Sequence, residues 1–196
     1  MVKRGLLVAG AVAVSSVALV SGIKAWQGTE NRDEQVVELA PVTYPSFESA
    51  QAANDATMLV TIVSSDGRYV DFGLDGKPNF GGDPGAGIEY FTAHVDDVIS
   101  GDESLVEQSI VVTQLESGTV SEVEVGDQFE PGQSYVIIAS SYEPNPGTID
   151  SEVWSTTLAE QGVFPVIEGE VFPTSPDLFP EVFDGNSVSL EVLENE

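Results

Sequence analysis

The sequence predicts a mainly β protein whose strands form a small, partly closed antiparallel barrel, with a two-layer sandwich as the alternative. Three observations support this prediction. Short runs of β-branched and apolar residues recur along the chain, Gly and Pro turn residues separate these runs, and one short helical segment precedes them. The roughly six runs suit a small barrel.

The predicted helix covers residues 46–53. Ser46 is a favourable N-cap residue, and Phe47 and Ala50 fall on one side of the helix. The Asn54-Asp55 pair that follows is a typical helix stop. A single short helix at the start of the domain is therefore expected.

The first two strands are predicted on either side of a long Gly-rich segment. The first covers 56–65 and continues into 68–72, because both runs favour extended backbone. The second covers 88–99, where the side chains alternate between two faces of the strand. One face carries Ile88, Tyr90, Thr92 and His94, and the other carries Phe91, Ala93 and Val95.

The later strands are shorter, and the most apolar of them, 134–141, is expected to be central in the sheet. The end of the chain is ambiguous, because 187–193 fits either a strand or a terminal helix. The other predicted strands are 109–115, 153–157, 162–167 and 170–172.

The chain divides into four predicted parts. Residues 1–25 are a signal peptide or an N-terminal membrane anchor, and 26–45 are an acidic linker. Residues 46–172 form the β-domain, and 173–196 form a Pro-rich C-terminal arm.

The first part resembles an export signal because Lys3 and Arg4 precede an uncharged run, 5–22. The run is near the length that spans a membrane, so cleaved signal and retained anchor both fit. In either case the domain is expected outside the cytoplasm, with the N-terminus inside and membrane contact only through 5–22.

Charge excludes one class of partner. The chain has 33 acidic residues against 6 Lys and Arg, a formal net charge of −27, and every acidic residue follows Trp26. Such a surface repels phosphates, so no nucleic-acid partner is expected, whereas cations and cationic peptides are attracted. The favoured interpretation of this charge is a simple solubility or salt adaptation. With no Cys, disulfides, thiol catalysis and thiolate metal sites are excluded.

The segment 71–87, DFGLDGKPNFGGDPGAG, invites comparison with a calcium-binding loop. The pattern fails at Gly73 and Gly82, where a calcium loop needs an acid or amide and a bidentate Glu. A long hairpin connection is therefore the favoured interpretation, with weak calcium binding as the alternative and no other cofactor expected. The candidate metal ligands in this segment are Asp71, Asp75, Asn79 and Asp83.

Two further groups of residues merit a chemical reading. His94, the only His, is two residues from Asp96, so a strand places both side chains on one face. No Gly-x-Ser-x-Gly elbow is present to complete a hydrolase triad. Tyr142 and Trp154 flank the segment 143–152 and suggest a small carbohydrate or peptide platform, although core packing is the favoured role.

Five stretches of the sequence follow one another in the same order as the motifs of a protein family: SFESAQAANDATMLVTIVS, YFTAHVDDVISGD, SIVVTQ, FEPGQSYVIIAS and QGVFPVIEGEV. Across residues 46–171 the chain resembles a poorly characterised family of exported β-domain proteins of Gram-positive bacteria. The resemblance implies an extracytoplasmic, barrel-like domain and supplies no catalytic residues.

These observations favour a non-enzymatic, extracytoplasmic interaction module associated with the cell envelope, with an envelope or extracellular partner that is cationic. The alternative is a weak cation- or ligand-binding protein that uses the 71–83 loop. A third hypothesis, an enzyme that works with carboxylates alone, has no motif in its favour.

Overall fold

The computed structural model describes residues 43–72, 76–78, 85–116, 129–143, 149, 151–156, 161–175, 177–183 and 186–193. The predicted signal or anchor, 1–25, and nearly all of the predicted linker lie outside these residues. No helix in the described part of the chain is long and apolar enough to cross a membrane.

The described elements are mostly strands, as expected. Three short helices are α1 (Phe47–Ala52), α2 (Pro180–Phe183) and α3 (Leu190–Leu193), and a 3₁₀ turn covers Glu103–Leu105. The eight strands are β1 (Ala56–Asp71), β2 (Ala86–Ser100), β3 (Ser109–Leu115), β4 (Ser134–Tyr142), β5 (Val153–Thr156), β6 (Val163–Ile167), β7 (Glu170–Val171) and β8 (Val188–Ser189).

Five of the strands close into a ring, which confirms the partly closed barrel. Strand β1 pairs with β2 along its length and with β4 over its first part, and the ring runs β1-β2-β3-β5-β4-β1. Strand β4 contacts β1, β5 and β6, so its predicted central position is confirmed. Strands β6, β7 and β8 extend the sheet outward from β4.

One pair in the ring departs from the antiparallel expectation. Strands β3 and β5 are parallel, with Val112 opposite Trp154, because β4 lies between them in sequence and turns the chain back. The spatial order β4-β1-β2-β3 within the ring is a Greek-key arrangement. Connectivity alone assigns no function, because one fold supports many.

The barrel interior is filled by alternate residues of every ring strand. Met58, Val60 and Ile62 of β1 face Phe91, Ala93 and Val95 of β2, and all six are buried. The predicted alternation in β2 is therefore confirmed, since a strand turns successive side chains to opposite faces. Strands β3, β4 and β5 complete this cluster with Ile110, Val112, Tyr135, Ile137, Ala139 and Trp154.

A second apolar cluster lies on the outside of the barrel. Val136 and Ile138 of β4 point away from the interior and pack with Phe164 of β6 and Phe47 of α1. The rings of Phe47 and Phe164 meet edge to face at 5.9 Å. Residues of the predicted C-terminal arm cover this cluster: Leu178, Phe179, Phe183 and Leu193 are all buried in it.

The predicted helix is confirmed at α1. Ser46 is its N-cap, and Ser46 and Ser49 each accept a hydrogen bond from the other's backbone N–H at 3.1 Å. This reciprocal arrangement satisfies two helix-end donors that are otherwise unpaired. Phe47 and Ala50 are the buried residues of the helix, so its apolar side faces the outer cluster.

Candidate functional site

The structure describes only one of the four candidate metal ligands. Asp71 is half-buried at the end of β1, opposite Ala86 of β2, so the strands flanking the loop form a hairpin. Asp75, Asn79 and Asp83 lie outside the described residues. Within the described ranges, no group of three or more His, Cys, Asp or Glu side chains is placed to hold a metal ion.

A row of polar side chains crosses the outer face of the barrel. Thr61 of β1 lies opposite Ser134 of β4 on one side and His94 of β2 on the other, and His94 lies opposite Ser109 of β3. These residues alternate with the buried positions of their strands, so their side chains point out of the barrel.

Hydrogen bonds join three members of this surface. The Thr61 hydroxyl donates to Asp96 Oδ2 at 2.6 Å, and the Ser134 and Thr61 hydroxyl oxygens are 2.9 Å apart. Because a hydroxyl has one proton and Thr61 gives its own to Asp96, Ser134 donates to Thr61. Two successive hydrogen bonds, from Ser134 to Thr61 and from Thr61 to Asp96, thus link β4, β1 and β2.

A bulge in β2 explains how Asp96 and Asp97 are both accommodated. Val95 pairs with Val60 and Asp97 with Leu59, so Asp96 is an extra residue in the ladder. The carboxylate of Asp97 accepts a hydrogen bond from the backbone N–H of Val98 at 2.8 Å. The alternation predicted for 88–99 is therefore interrupted by a break in register at Asp96.

His94 is surrounded by carboxylates. Its Nε2 lies 3.9 Å from Asp96 Oδ1 and 3.7 Å from Glu107 Oε2, which confirms that His94 and Asp96 share a face. The Thr61 hydroxyl donates to Asp96 and the Ser134 hydroxyl to Thr61, so neither donates to His94. Neither of these two hydroxyls therefore makes the nucleophile-to-base hydrogen bond that activates a Ser or Thr nucleophile.

A second polar contact joins late β1 to the end of β4. The phenolic oxygens of Tyr69 and Tyr142 are 2.7 Å apart, and the Tyr69 ring lies 6.3 Å from that of Tyr90. Burial, and then the hydrogen bond to Tyr142, raise the pKa of the Tyr69 phenol above its usual range. Trp154 is instead buried in the barrel interior, so core packing, the favoured role, is confirmed for it.

The described domain has very few cations to neutralise its carboxylates. Of the six Lys and Arg residues, only Arg68 and Lys77 follow residue 43, whereas 29 of the 33 acidic residues do. Arg68 is already paired, since its Nη1 donates to Glu116 Oε1 at 2.9 Å. The outer surface around Asp96, Asp97 and Glu107 consequently carries uncompensated negative charge.

Comparisons of the chain with protein-family models, with curated proteins and with solved structures find no match. The resemblance to exported β-domain proteins therefore stays a prediction. The outer polar surface consists of Thr61, His94, Asp96, Glu107 and Ser134. Of these residues, the sequence patterns did not single out Thr61, Ser134 and Glu107. Thr61 and Ser134 have apolar strand neighbours, which marks them as outward-facing, whereas Glu107 lies in the turn before β3. Nothing in the sequence pairs these three residues.

Proposed function

We propose that this protein is a non-enzymatic, extracytoplasmic interaction module that binds a cationic partner of the cell envelope or extracellular space. The interacting surface is the acidic outer face formed by Asp96 and Asp97 of β2 and by Glu107 in the turn before β3. Nucleic acids are not partners, because their phosphates would meet a field of the same sign.

The observation that supports this proposal most directly is the one-sided charge of the domain. Only two Lys or Arg residues follow residue 43 in the sequence, and one of them, Arg68, is paired with Glu116. Complementary charge on a partner speeds association and selects against partners of the same sign. A Lys- or Arg-rich protein segment has that complementary charge.

Within the described part of the chain, the surroundings of the single His support a binding role over catalysis. His94 lies near two carboxylates, and the Thr61 hydroxyl donates its proton to Asp96. Perturbed titratable groups in a cleft are the usual sign of an active site. Among the described residues, the one strongly raised pKa is that of Tyr69, which is paired with another phenol.

The location follows from the start of the sequence. Residues 1–25 act as a cleaved signal or a retained anchor, 5–22 make the only membrane contact, and 26–45 link this segment to the domain. Cell fractionation with N-terminal sequencing of the mature protein tests this part. A full-length protein recovered from the cytoplasm would overturn it.

The binding surface is tested with a heptalysine amide probe and two variants of equal net charge. The double variant Asp96→Asn/Glu107→Gln neutralises the proposed surface, and Glu48→Gln/Glu168→Gln neutralises two exposed acids elsewhere. Calorimetry at low salt should show the first variant binding about tenfold more weakly than the second. Equal affinities for the two variants, or no binding to the parent protein, would contradict the proposal.

A further inference from the structure

The second half of β1 has a partner on one edge only. Strand β1 pairs with β4 from Ala56 to Thr61, and Ile62 then exchanges backbone hydrogen bonds with Gln133 and Gly132 at 2.9 and 2.7 Å. From residue 63 to residue 70, β1 is paired only with β2 among the residues that the structure describes. Within that described part of the chain, no strand lies beside the backbone N–H and C=O groups of the other edge.

This edge is regular enough to accept a strand. Bulges interrupt β1 between Ile62 and Ser64 and between Ser65 and Gly67, but the register from Gly67 to Asp71 is continuous. A Cβ at Gly67 would lie 2.8 Å from the Tyr90 hydroxyl, so the Tyr90 side chain packs directly over this glycine. The segment from Gly67 to Asp71 is therefore paired regularly with β2.

The side chains on the edge combine apolar surface with negative charge. Val63 and Val70 are 57% and 47% exposed, so both present apolar surface to solvent. Asp66 carries an ionised carboxylate held by Thr92 and Ser64 at 2.6 and 2.7 Å. The one cation, Arg68, is countered by Glu116, so the edge offers no positive charge to an acidic partner.

We propose that the edge of β1 opposite β2, residues 63–70, binds an extended Lys- or Arg-rich peptide segment as an added β-strand. The inference rests on the proposed function because it requires a cationic partner. It adds how that partner is recognised, by strand addition, and where it binds, along β1. Main-chain hydrogen bonds supply affinity in such complexes, and alternate side chains supply selectivity. A cationic strand places its charges near Asp66, whereas a second copy of this acidic chain is repelled.

The probe is the acetylated and amidated peptide Lys-Val-Lys-Val-Lys-Val-Lys, compared with the same peptide N-methylated at every amide. The two have equal charge, but only the parent can donate main-chain hydrogen bonds. Calorimetry should show the parent binding at least about tenfold more tightly. Hydrogen exchange in residues 63–70 should slow with the parent peptide and not with the methylated one.

Two protein variants of equal charge locate the contact. Val70→Lys puts a cation on the edge, and Val192→Lys puts one on α3 at a site 44% exposed. Affinity should fall about tenfold for the first and about twofold or less for the second. If Val70→Lys lowers the melting temperature, Val63→Lys replaces it at the other end of the edge.

The outcomes separate the two proposals. Equal affinities for the parent and methylated peptides, with equal effects of Val70→Lys and Val192→Lys, would refute strand addition and leave the charge-driven module standing. No binding of either peptide at low salt would refute the cationic-partner function together with strand addition.

Discussion

The carboxylate of Glu181 accepts a hydrogen bond from the backbone N–H of Phe47 at 2.8 Å. Glu181 belongs to α2, near the end of the chain, whereas Phe47 is the first residue of α1. The bond satisfies a helix-end donor that the capping pair of Ser46 and Ser49 leaves open. The two ends of the domain are thereby joined at the rim of the outer apolar cluster.

Removal of this bond should cost stability. Glu181→Ala is expected to lower the free energy of unfolding by about 1 kcal/mol, because a half-buried helix-end N–H loses its acceptor. Glu181→Gln keeps an acceptor and should cost less. Urea unfolding is the measurement, and Glu103→Ala, at an exposed acid in the 3₁₀ turn, is the control. Equal losses for Glu181→Ala and Glu103→Ala would contradict the capping role.

The C-terminal segment should be essential to the outer cluster. Phe183 is fully buried and stacks on Phe164 with ring centroids 5.4 Å apart, whereas Phe172 is 36% exposed. Phe183→Ala is expected to destabilise the protein by about 3–5 kcal/mol through lost burial and a residual cavity. Phe172→Ala should cost far less. Similar melting temperatures for the two variants would show that the segment does not stabilise the domain.

Sequence patterns predict the barrel strands well because their signal is local. The buried set Phe91, Ala93 and Val95 follows directly from alternation, and β3 begins and ends at the predicted residues. The role of the C-terminal segment is not local. Leu178, Phe179 and Phe183 have no regular period, and Pro residues surround them, so only the packed structure shows that they cover β4 and α1.

The outer polar surface was predictable only in part. His94 and Asp96 are two residues apart, and a strand brings them to one face without further information. Thr61 and Ser134 are 73 residues apart, and closure of the barrel between β1 and β4 brings them together. The bulge at Asp96 also depends on register, which single-sequence patterns do not specify.

Two threonines on one strand should respond to the same substitution with opposite signs. The Thr57 hydroxyl is buried and has no hydrogen-bond partner among the described residues, whereas the Thr61 hydroxyl bonds to Asp96 and Ser134. Thr57→Val should raise the unfolding free energy by about 1 kcal/mol, because an unsatisfied buried hydroxyl is removed. Thr61→Val should lower it by a similar amount. Denaturant titration of both variants tests the pair, and a loss of stability in Thr57→Val would refute the reasoning.

Because the Tyr69 and Tyr142 phenols are hydrogen-bonded, we expect the folded protein to lose stability at high pH. The pKa of Tyr69 is raised in the folded state by burial and by Tyr142, so the folded protein holds this proton more tightly than the unfolded chain. The resulting stabilisation is complete below about pH 10, the usual tyrosine pKa, and is lost as pH rises above it. Tyr69→Phe has no proton to lose at this position.

The difference in unfolding free energy between wild type and Tyr69→Phe should therefore be constant from about pH 7 to pH 9 and shrink above about pH 10. Urea unfolding across this range measures it, because charge effects common to the two proteins cancel in the difference. Absorbance at the phenolate band should also show one fewer late-titrating tyrosine in Tyr69→Phe. A difference that stays constant through alkaline pH would mean that Tyr69 ionises as easily in the folded protein as in the unfolded chain.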